Sequence, residues 1–115
     1  MVQSGDIVLI RFPQTNLKEG KLRPALVVAN SPHGNEDVLL ALISSRIYQT
    51  VKGFDIIIKT SDDDYIISGL KVDSVIRLGR LVTIESSIIN ARLGSISQER
   101  LKQVRKNLIN WLKIE

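Results

Sequence analysis

Arg23-Pro24-Ala25-Leu26-Val27-Val28 decides the fold, because it predicts a buried strand that starts beside a lone arginine. Proline cannot donate a ladder hydrogen bond, so Pro24 is expected at the very start of a strand over residues 24–29. Arg23 then lies at a loop–strand junction, where a rigid sheet can hold its side chain over a cleft. The pattern therefore makes Arg23 the first candidate functional residue.

Apolar runs on both sides of this stretch predict a chain made mostly of strands. Runs rich in Ile, Val and Leu lie between turn-forming residues and predict strands over 5–12, 24–29, 38–43, 54–59 and, as one strand or two around Gly79, 72–84. Polar segments predict loops at 14–22 and 44–52, a turn at 30–35 and an acidic turn at 61–64. With a short apolar run at 65–68 and weak alternation over 86–97, we expect five to seven strands.

The last segment changes from the period of a strand to the period of a helix. Five apolar side chains recur at the spacing of one helical face: Leu101, Val104, Leu108, Ile109 and Leu112. Ser97 can cap the N-terminus, since its hydroxyl can accept an unpaired backbone N–H. The cations Arg100, Lys102, Arg105 and Lys106 are expected on the solvated outer face. The predicted fold class is mainly β (α+β), a small closed or half-closed barrel packed against a C-terminal helix.

The composition fits a single domain over residues 1–115 and excludes several kinds of site. A chain of 115 residues can bury one hydrophobic core. It has no cysteine, which excludes disulfides, thiolate metal sites and cysteine nucleophiles. A net charge of +4 and a pI of about 9.6 favour an anionic partner such as nucleic acid, although the excess is modest. Neither a membrane-length apolar run nor a secretory leader is recognised, so a cytoplasmic location without membrane attachment is expected.

Four pieces of the sequence, taken in order, point to a known family. They are Gly5-Asp6-Ile7-Val8, Arg23-Pro24, Ala41-Leu42-Ile43-Ser44, and Val72-Asp73-Ser74-Val75-Ile76 followed by Thr83-Ile84. No single piece is specific, but their order and spacing resemble the MazF/PemK family of toxin ribonucleases from type II toxin–antitoxin systems. The resemblance covers most of the chain. It implies an SH3-like barrel with a C-terminal helix, which agrees with the strand count, and a homodimer.

The resemblance implies two catalytic residues. The catalytic arginine of the family begins the second strand, which corresponds to Arg23 here. The catalytic threonine of the family ends the third strand after two apolar residues, where this chain has Ser44. Serine keeps the hydroxyl donor and loses only the methyl group, so activity is compatible with the change. Ser45 is adjacent, and an alignment shifted by one residue would give the role to Ser45 instead.

The reaction implied by the resemblance is cleavage of single-stranded RNA by attack of a 2′-OH on the neighbouring phosphorus, with no cofactor or metal. Arginine suits the stabilisation of phosphoryl charge, because its planar fork donates several hydrogen bonds to phosphate. It suits proton transfer poorly, since its pKa lies above about 12. The resemblance nevertheless implies an acid–base role, so both roles stay open for Arg23. Ser44 can donate to a phosphoryl oxygen or, alternatively, bind the backbone at the strand end.

Several cations are candidates for RNA binding, because phosphate contacts position a nucleic acid strand. Arg46 and Lys52 flank the loop after Ser44, and three further cations can border the same groove: Arg11, Lys18 and Lys21. His33, the single histidine, is expected in an exposed turn without a catalytic role. The consecutive carboxylates of residues 62–64 cannot all reach one ion without a special loop, so a solvated turn is expected rather than a metal site.

The resemblance also implies partners. A toxin of this kind requires a cognate antitoxin, expected to contain a partly disordered segment whose acidic residues pair with the groove near Arg23. The toxin–antitoxin complex is in turn expected to bind DNA. An alternative stays open, because fold does not settle function: a non-enzymatic barrel of the same fold, acting as a gyrase-poison-like toxin or an RNA-binding module. The Arg-Pro strand start favours a ribonuclease, and an aromatic content of 4% disfavours a base-stacking module.

Overall fold

The computed structural model describes residues 2–11, 21–32 and 36–113, and strands make up most of its regular structure. Six strands lie in this part of the chain: β1 Asp6–Arg11, β2 Leu22–Asn30, β3 Asp37–Ser44, β4 Ile56–Ile58, β5 Ser74–Glu85 and β6 Ala91–Ser95. A one-turn helix, α1 (Tyr65–Ser68), precedes β5, and the helix α2 (Gln98–Leu112) ends the chain. The predicted class, mainly β with a terminal helix, is confirmed.

The strands form one curled antiparallel sheet, a half-barrel, in the order β4-β5-β3-β2-β1-β6. Successive residues of the central strands are buried on opposite faces, because side chains alternate along a strand. The larger core cluster joins one face to α2 and includes Ile7, Leu26, Ile43, Ile76, Leu101, Val104 and Leu108. The smaller cluster lies on the other face: Val8, Ile10, Ala25, Val27, Val38 and Leu40. Burial on both faces makes β1, β2 and β3 a rigid frame for any side chain at their ends.

The second strand starts earlier than the sequence predicts. It begins at Leu22, so Pro24 is its third residue and Arg23 lies within the strand rather than at a junction. It pairs with β1 from Leu22 but with β3 only from Ala25, so Pro24 lies where one edge of β2 is unpaired. A residue without an N–H is tolerated at such a position. The predicted loop over 14–22 lies outside the described residues as far as residue 20.

One strand, not two, spans the segment around Gly79, and it carries a large bulge. In the pairing of β5 with β3, Ala41 lies opposite Leu81, whereas the next residue, Leu42, lies opposite Arg77. Residues 78–80 therefore have no partner in β3 and form the bulge. Bulges bend a strand and redirect its side chains. This one lies near the end of β3 that carries Ser44.

Helix α1 and strand β6 approach each other backbone to backbone. The apolar run at 65–68 forms a helical turn rather than a strand, and Gly69 ends it in the left-handed conformation with φ of 72°. A Cβ on Gly69 would overlap the backbone of Leu93, and a Cβ on Gly94 would overlap the carbonyl of Ile67. Only glycine permits this approach, which holds residues 69–72 close to β6.

Helix α2 follows the predicted pattern closely at its start. Ser97 Oγ accepts the backbone N–H of Arg100 at 3.2 Å, which confirms the predicted cap. Three residues of the apolar face are buried against the sheet: Leu101, Val104 and Leu108. Ile109 and Leu112 belong to the same apolar face but are exposed, because the last turn of the helix extends beyond the core cluster.

Candidate active site

The register of β2 and β3 brings together the two residues proposed as catalytic. Leu26 pairs with Ala41 and Ala25 with Leu42 at the end of the ladder. Two residues further along the same register, Arg23 lies opposite Ser44. Side chains at opposed positions of neighbouring strands are close enough to contact one ligand. Both residues also line two clefts, which meet at this pair.

The first of these, named the basic cleft, has a volume of about 270 Å³. Its lining consists of Arg23, Leu42, Ile43, Ser44, Arg46, Gln49, Arg77 and Arg80. Half of these residues are arginines and none is acidic. Cations gathered around a small cleft produce a strong local positive potential, which attracts an anionic ligand. The modest positive net charge of the chain is therefore distributed very unevenly.

The second, named the apolar cleft, has a volume of about 360 Å³ and lies on the other side of Arg23 and Ser44. It is lined mainly by apolar side chains from five parts of the chain, including Leu9, Leu22, Pro24, Ile43, Leu70, Val72 and Leu93. Lys71 adds one further cation to its wall. A flat apolar group can lie in such a cleft while its charged neighbour reaches the arginines. The junction of the two clefts thus suits a ligand with alternating anionic and apolar parts.

The Ser44 hydroxyl is already oriented by the backbone. Its Oγ accepts the N–H of Arg46 at 3.0 Å, so the hydroxyl is bound to the backbone as the structural interpretation of Ser44 requires. This contact uses an oxygen lone pair and leaves the O–H free to donate. Ser45, the alternative candidate, is exposed and lines the apolar cleft but not the basic cleft. The geometry therefore favours Ser44 as the hydroxyl that acts together with the arginines.

The Arg23 side chain is exposed and makes no hydrogen bond or ion pair with any described residue. Its guanidinium projects from a strand whose following residues, 25–28, are buried. The backbone position is therefore rigid while the five N–H donors remain available to a ligand. An arginine that stabilises the fold would be expected to donate hydrogen bonds to acceptors of the protein.

Arg77 and Arg80 line the basic cleft although the sequence analysis did not single them out. Residues three apart point to opposite faces of a regular strand. The bulge at residues 78–80 breaks this alternation, and both side chains reach the same cleft. Gly79 was the available signal, because glycine inside a strand often marks a bulge. It does not indicate which neighbouring side chains the bulge redirects.

The remaining candidates for RNA binding differ in their positions. Arg46 lines the basic cleft, between Ser44 and the 3₁₀ turn Ile47–Gln49. Three others are exposed but line neither cleft: Arg11, Lys21 and Lys52. Lys18 lies outside the described residues, as does His33. Of the named cations, the structure thus brings Arg46 closest to the Arg23–Ser44 pair.

A larger cavity, of about 890 Å³, lies between the acidic turn and the start of α2, away from Arg23 and Ser44. Arg100 crosses it and donates through Nε to Asp64 Oδ2 at 2.6 Å, through Nη2 to Asp62 Oδ2 at 2.7 Å, and through Nη1 to the Ile57 carbonyl at 2.8 Å. Two expectations are therefore corrected: the acidic turn is an anchored ion-pair cluster rather than a solvated turn, and Arg100 does not lie on a solvated face.

Hydrogen bonds hold both carboxylates of this cluster in the ionised form. The backbone N–H of Lys59 and then Arg100 lower the pKa of Asp62, against the opposing effect of burial. The hydrogen bonds from Arg100 are the main cause of the lowered pKa of Asp64. Because these charges neutralise each other within the protein, the large cavity is a poorer candidate than the smaller clefts at Arg23.

Neither a metal-ligand cluster nor a membrane-spanning helix is found in the part of the chain that the structure describes. Within residues 2–11, 21–32 and 36–113, no three side chains of His, Asp or Glu are arranged to hold a metal ion. Helix α2, at fifteen residues, is the longest helix of that part, and neither it nor α1 is long and apolar enough to cross a bilayer.

Known proteins resemble the chain along almost its whole length. A family model described as PemK-like, MazF-like toxin of type II toxin–antitoxin system matches residues 3–112. No curated protein sequence gives a significant match.

Solved structures of related proteins share the fold at low sequence identity. An endoribonuclease in complex with its cognate antitoxin from a mycobacterial species is 13% identical, with a TM-score of 0.72 and 100% of both chains covered. The Mycobacterium tuberculosis toxin MazF-mt6 is 18% identical, with a TM-score of 0.68, over 96% of this chain and 98% of that one. MazF (Form-I) from Deinococcus radiodurans is 21% identical, with a TM-score of 0.69, over 98% and 97%. With the family model matching residues 3–112, this protein belongs to the PemK-like, MazF-like toxin family of type II toxin–antitoxin systems.

Proposed function

We propose that this toxin is a metal-independent endoribonuclease that cleaves single-stranded RNA by attack of a ribose 2′-OH on the adjacent phosphorus. The observation that carries the proposal is the position of Arg23 opposite Ser44, where the basic and apolar clefts meet. An RNA strand presents anionic phosphates and apolar base faces in alternation, which fits this junction. Membership of the toxin family supports the same activity.

Arg23 stabilises the negative charge that develops on the phosphoryl oxygens in this proposal. As the 2′-oxygen bonds to phosphorus and the bond to the 5′-oxygen breaks, charge on the phosphoryl group rises. A guanidinium with all its donors free can bind two of these oxygens at once. Preorganised donors of this kind contribute about 3 kcal/mol each to the transition state. The 2′-OH loses its proton, the leaving 5′-oxygen gains one, and the first product keeps a 2′,3′-cyclic phosphate.

Ser44 supplies a second donor to the same phosphate. The N–H of Arg46 fixes the position of Oγ, so the O–H donates without first losing orientational freedom. This arrangement lets a serine serve where the family has a threonine, because the hydroxyl is positioned by a backbone contact rather than by packing of a methyl group.

The described residues of the two clefts favour charge stabilisation over an acid–base role for Arg23. Their lining includes no histidine, aspartate or glutamate, and Lys71 is its one side chain of a type that serves as a general base in enzymes. Every ionisable side chain in these linings is a cation: four arginines in the basic cleft and Lys71 in the apolar cleft. Such a set lowers the energy of a phosphoryl dianion more readily than it removes a proton.

The proposal is tested with a labelled single-stranded RNA and its matched 2′-deoxy analogue. Purified protein should cut the RNA in the presence of EDTA and should stop cutting when the nucleotide 5′ to the cleavage point carries 2′-deoxyribose. Cleavage that depends on added metal, or cleavage of the deoxy analogue, would contradict the mechanism. If the Arg23→Ala protein is still toxic when it is expressed in cells, a non-enzymatic toxin is favoured instead.

Partners follow as part of the same proposal. We propose that the toxin acts in the cytoplasm as a homodimer and is held inactive by a cognate antitoxin. The last turn of α2 leaves Ile109, Trp111 and Leu112 exposed, which is apolar surface that a partner chain could cover. An acidic antitoxin segment would compete with RNA for the four arginines of the basic cleft. Light scattering at micromolar concentration tests the dimer, and co-purification with the product of the neighbouring small open reading frame tests the antitoxin.

A further inference from the structure

We propose that the bulge of β5 builds a second phosphate-binding subsite, formed by Arg77 and Arg80, for an RNA phosphate other than the one held by Arg23 and Ser44. This inference rests on the proposed function, because it takes single-stranded RNA as the ligand. The subsite would determine how many nucleotides the toxin binds on one side of the cleavage point.

The bulge is a built feature rather than a loose segment. Asp55 is buried, with 2% of its side chain exposed, and its Oδ1 accepts the N–H of Leu78 at 3.0 Å. Leu78 is the first residue of the bulge and has no partner in β3. The Asp55 carboxylate thus replaces the missing ladder hydrogen bond, as a buried backbone N–H requires. Its Oδ2 accepts the N–H of Val51 at 2.9 Å, which ties the bulge to the segment after the 3₁₀ turn.

The same network orients Arg77. Its Nε lies 3.7 Å from Asp55 Oδ2, and its Nη1 donates to Gln49 Oε1 at 2.9 Å. The side chain is 20% exposed, yet it lines the basic cleft. These contacts leave Nη2 without a hydrogen-bond partner among the described residues. A guanidinium held from behind loses little conformational freedom on binding, so Arg77 is preorganised for an oxyanion.

The number and spacing of the arginines call for more than one phosphate. Each RNA linkage carries a single negative charge, whereas four guanidiniums line the cleft. Arg77 lies opposite Leu42, two residues before Ser44 along β3. Two residues of strand span about 7 Å, so the backbone positions of Arg77 and Ser44 leave room for two neighbouring phosphates of one strand. A second phosphate of the same strand can satisfy Arg77 and the exposed Arg80 while Arg23 and Ser44 hold the scissile one.

Binding is measured by fluorescence anisotropy with a labelled single-stranded RNA in which fluorine replaces every 2′-OH, so that the strand cannot be cut by 2′-OH attack. The test variant is Arg80→Ala, because Arg80 is exposed and has no partner among the described residues. The matched control is Arg105→Ala, which removes one exposed arginine of α2 away from the cleft. We expect Arg80→Ala to weaken binding about tenfold and to reduce the slope of log K against log salt by about 0.7. We expect Arg105→Ala to change binding less than about twofold.

A neutral methylphosphonate placed at one linkage after another then locates the subsite. One linkage other than the scissile one should abolish the difference between the wild type and Arg80→Ala. Asp55→Asn keeps an oxygen for the Leu78 N–H, but it removes the charge beside Arg77 and replaces the oxygen that accepts the Val51 N–H with an amide nitrogen. An effect on RNA through Arg77 predicts that it weakens binding in the wild type and adds nothing in an Arg77→Ala background.

Two outcomes overturn the subsite. One is equal loss of binding in Arg80→Ala and Arg105→Ala. The other is an Arg80 effect that disappears only when the scissile linkage is neutral, which would mean a single phosphate site. If natural RNA is cut while either outcome is found, the subsite fails alone. If the wild type cuts no RNA, the proposed function fails, and the anisotropy result still decides whether the arginines bind phosphate.

Discussion

Arg23 and Arg100 are both arginines at the edge of a cavity, but they are used in opposite ways. Arg100 spends its donors on two carboxylates and a carbonyl, and so it links α2 to β4 and to the acidic turn before α1. The Arg23 side chain donates no hydrogen bond to the described residues, and it projects from a strand that is rigid from Ala25 onward. Whether its N–H donors are already occupied, rather than the size of the neighbouring cavity, therefore distinguishes Arg100, which anchors the fold, from Arg23, which is available to a ligand.

The charged residues that line the two cavities also differ. The cavity at Arg100 is lined by four aspartates and a glutamate, so the positive charge of Arg100 is cancelled within the protein. The basic cleft at Arg23 contains four arginines and no acid. An anionic substrate therefore finds attraction at the smaller site and repulsion at the larger one.

The largest effect is expected for Arg23→Ala. It should lower the cleavage rate about a thousandfold or more, because the main stabiliser of phosphoryl charge is lost. Since the side chain is exposed and makes no hydrogen bond or ion pair with the described residues, the melting temperature should stay within about 2 °C of the wild type. Single-turnover cleavage and thermal unfolding measure the two quantities on the same preparation.

Arg23→Lys is the matched variant that keeps the positive charge but lacks the planar set of guanidinium donors. An ammonium keeps the positive charge but cannot bind two oxygens in one plane, so it should recover little of the rate. A lysine variant as active as the wild type would show that Arg23 acts through charge alone. An alanine variant as active as the wild type would remove Arg23 from the site.

Ser44→Ala should reduce the rate by a smaller factor, roughly a hundredfold, because one neutral donor is lost while the arginines remain. Ser44→Thr should keep most of the activity, since the hydroxyl can still accept the N–H of Arg46. Ser45→Ala is the control and should leave the rate within about threefold, as it lines only the apolar cleft. If Ser45→Ala lowers the cleavage rate and Ser44→Ala does not, the hydroxyl that donates to the phosphate belongs to Ser45 instead.

Arg100→Met should show the reverse behaviour, with a loss of stability and an intact active site. Methionine keeps the apolar part of the side chain but removes the Arg100 donors from Asp62, Asp64 and the Ile57 carbonyl, while Asp62 keeps the backbone N–H of Lys59. We expect a decrease of about 2 kcal/mol in the free energy of unfolding. Cleavage at 20 °C, where the variant stays folded, should match the wild type. A slow but stable Arg100→Met protein would contradict the division of roles.

Patterns local in sequence predicted the strands, the terminal helix and its Ser97 cap, because periodicity and capping chemistry depend on neighbouring residues. Family resemblance singled out Arg23 and Ser44, and continuing the register of β2 and β3 two residues beyond Ala25 and Leu42 places the two opposite each other. The start of β2 was misplaced for a specific reason: pairing with β1 alone extends the strand back to Leu22, and a single sequence does not reveal one-sided pairing.

The features that the sequence did not reveal are those made by contacts between distant residues. Arg77 and Arg80 enter the basic cleft through a bulge that Asp55 holds from 23 residues away in sequence. Arg100 meets Asp64 across 36 residues, so this one of the four cations predicted on a solvated face lies in an ion-pair cluster, while Lys102, Arg105 and Lys106 are exposed as predicted. A charge pattern read along a helix or a turn reports which side chains are ionised, but it does not report which of them already have partners.

The smallest expected effect concerns the pH dependence of the Arg100 cluster. The pKa values of Asp62 and Asp64 are lowered from 3.8 in the folded protein, so both carboxylates favour folding when they are ionised. This stabilisation is fully present above the unfolded pKa and is lost as pH falls through the lower folded values. Because Arg100 is the main cause at Asp64 but not at Asp62, Arg100→Met should remove chiefly the Asp64 part.

The gap in melting temperature between the wild type and Arg100→Met should therefore be widest near neutral pH and should narrow below about pH 4. Asp63→Asn is the matched control, since Asp63 is exposed and does not bind Arg100, and its gap to the wild type should not depend on Arg100. Thermal unfolding of the wild type, the two single variants and the double variant from pH 7 to pH 3 measures both gaps. A gap that stays constant over this range would mean that Arg100 stabilises the fold through its bond to the Ile57 carbonyl and its packing, and that its ion pairs contribute nothing measurable to the contrast with Arg23.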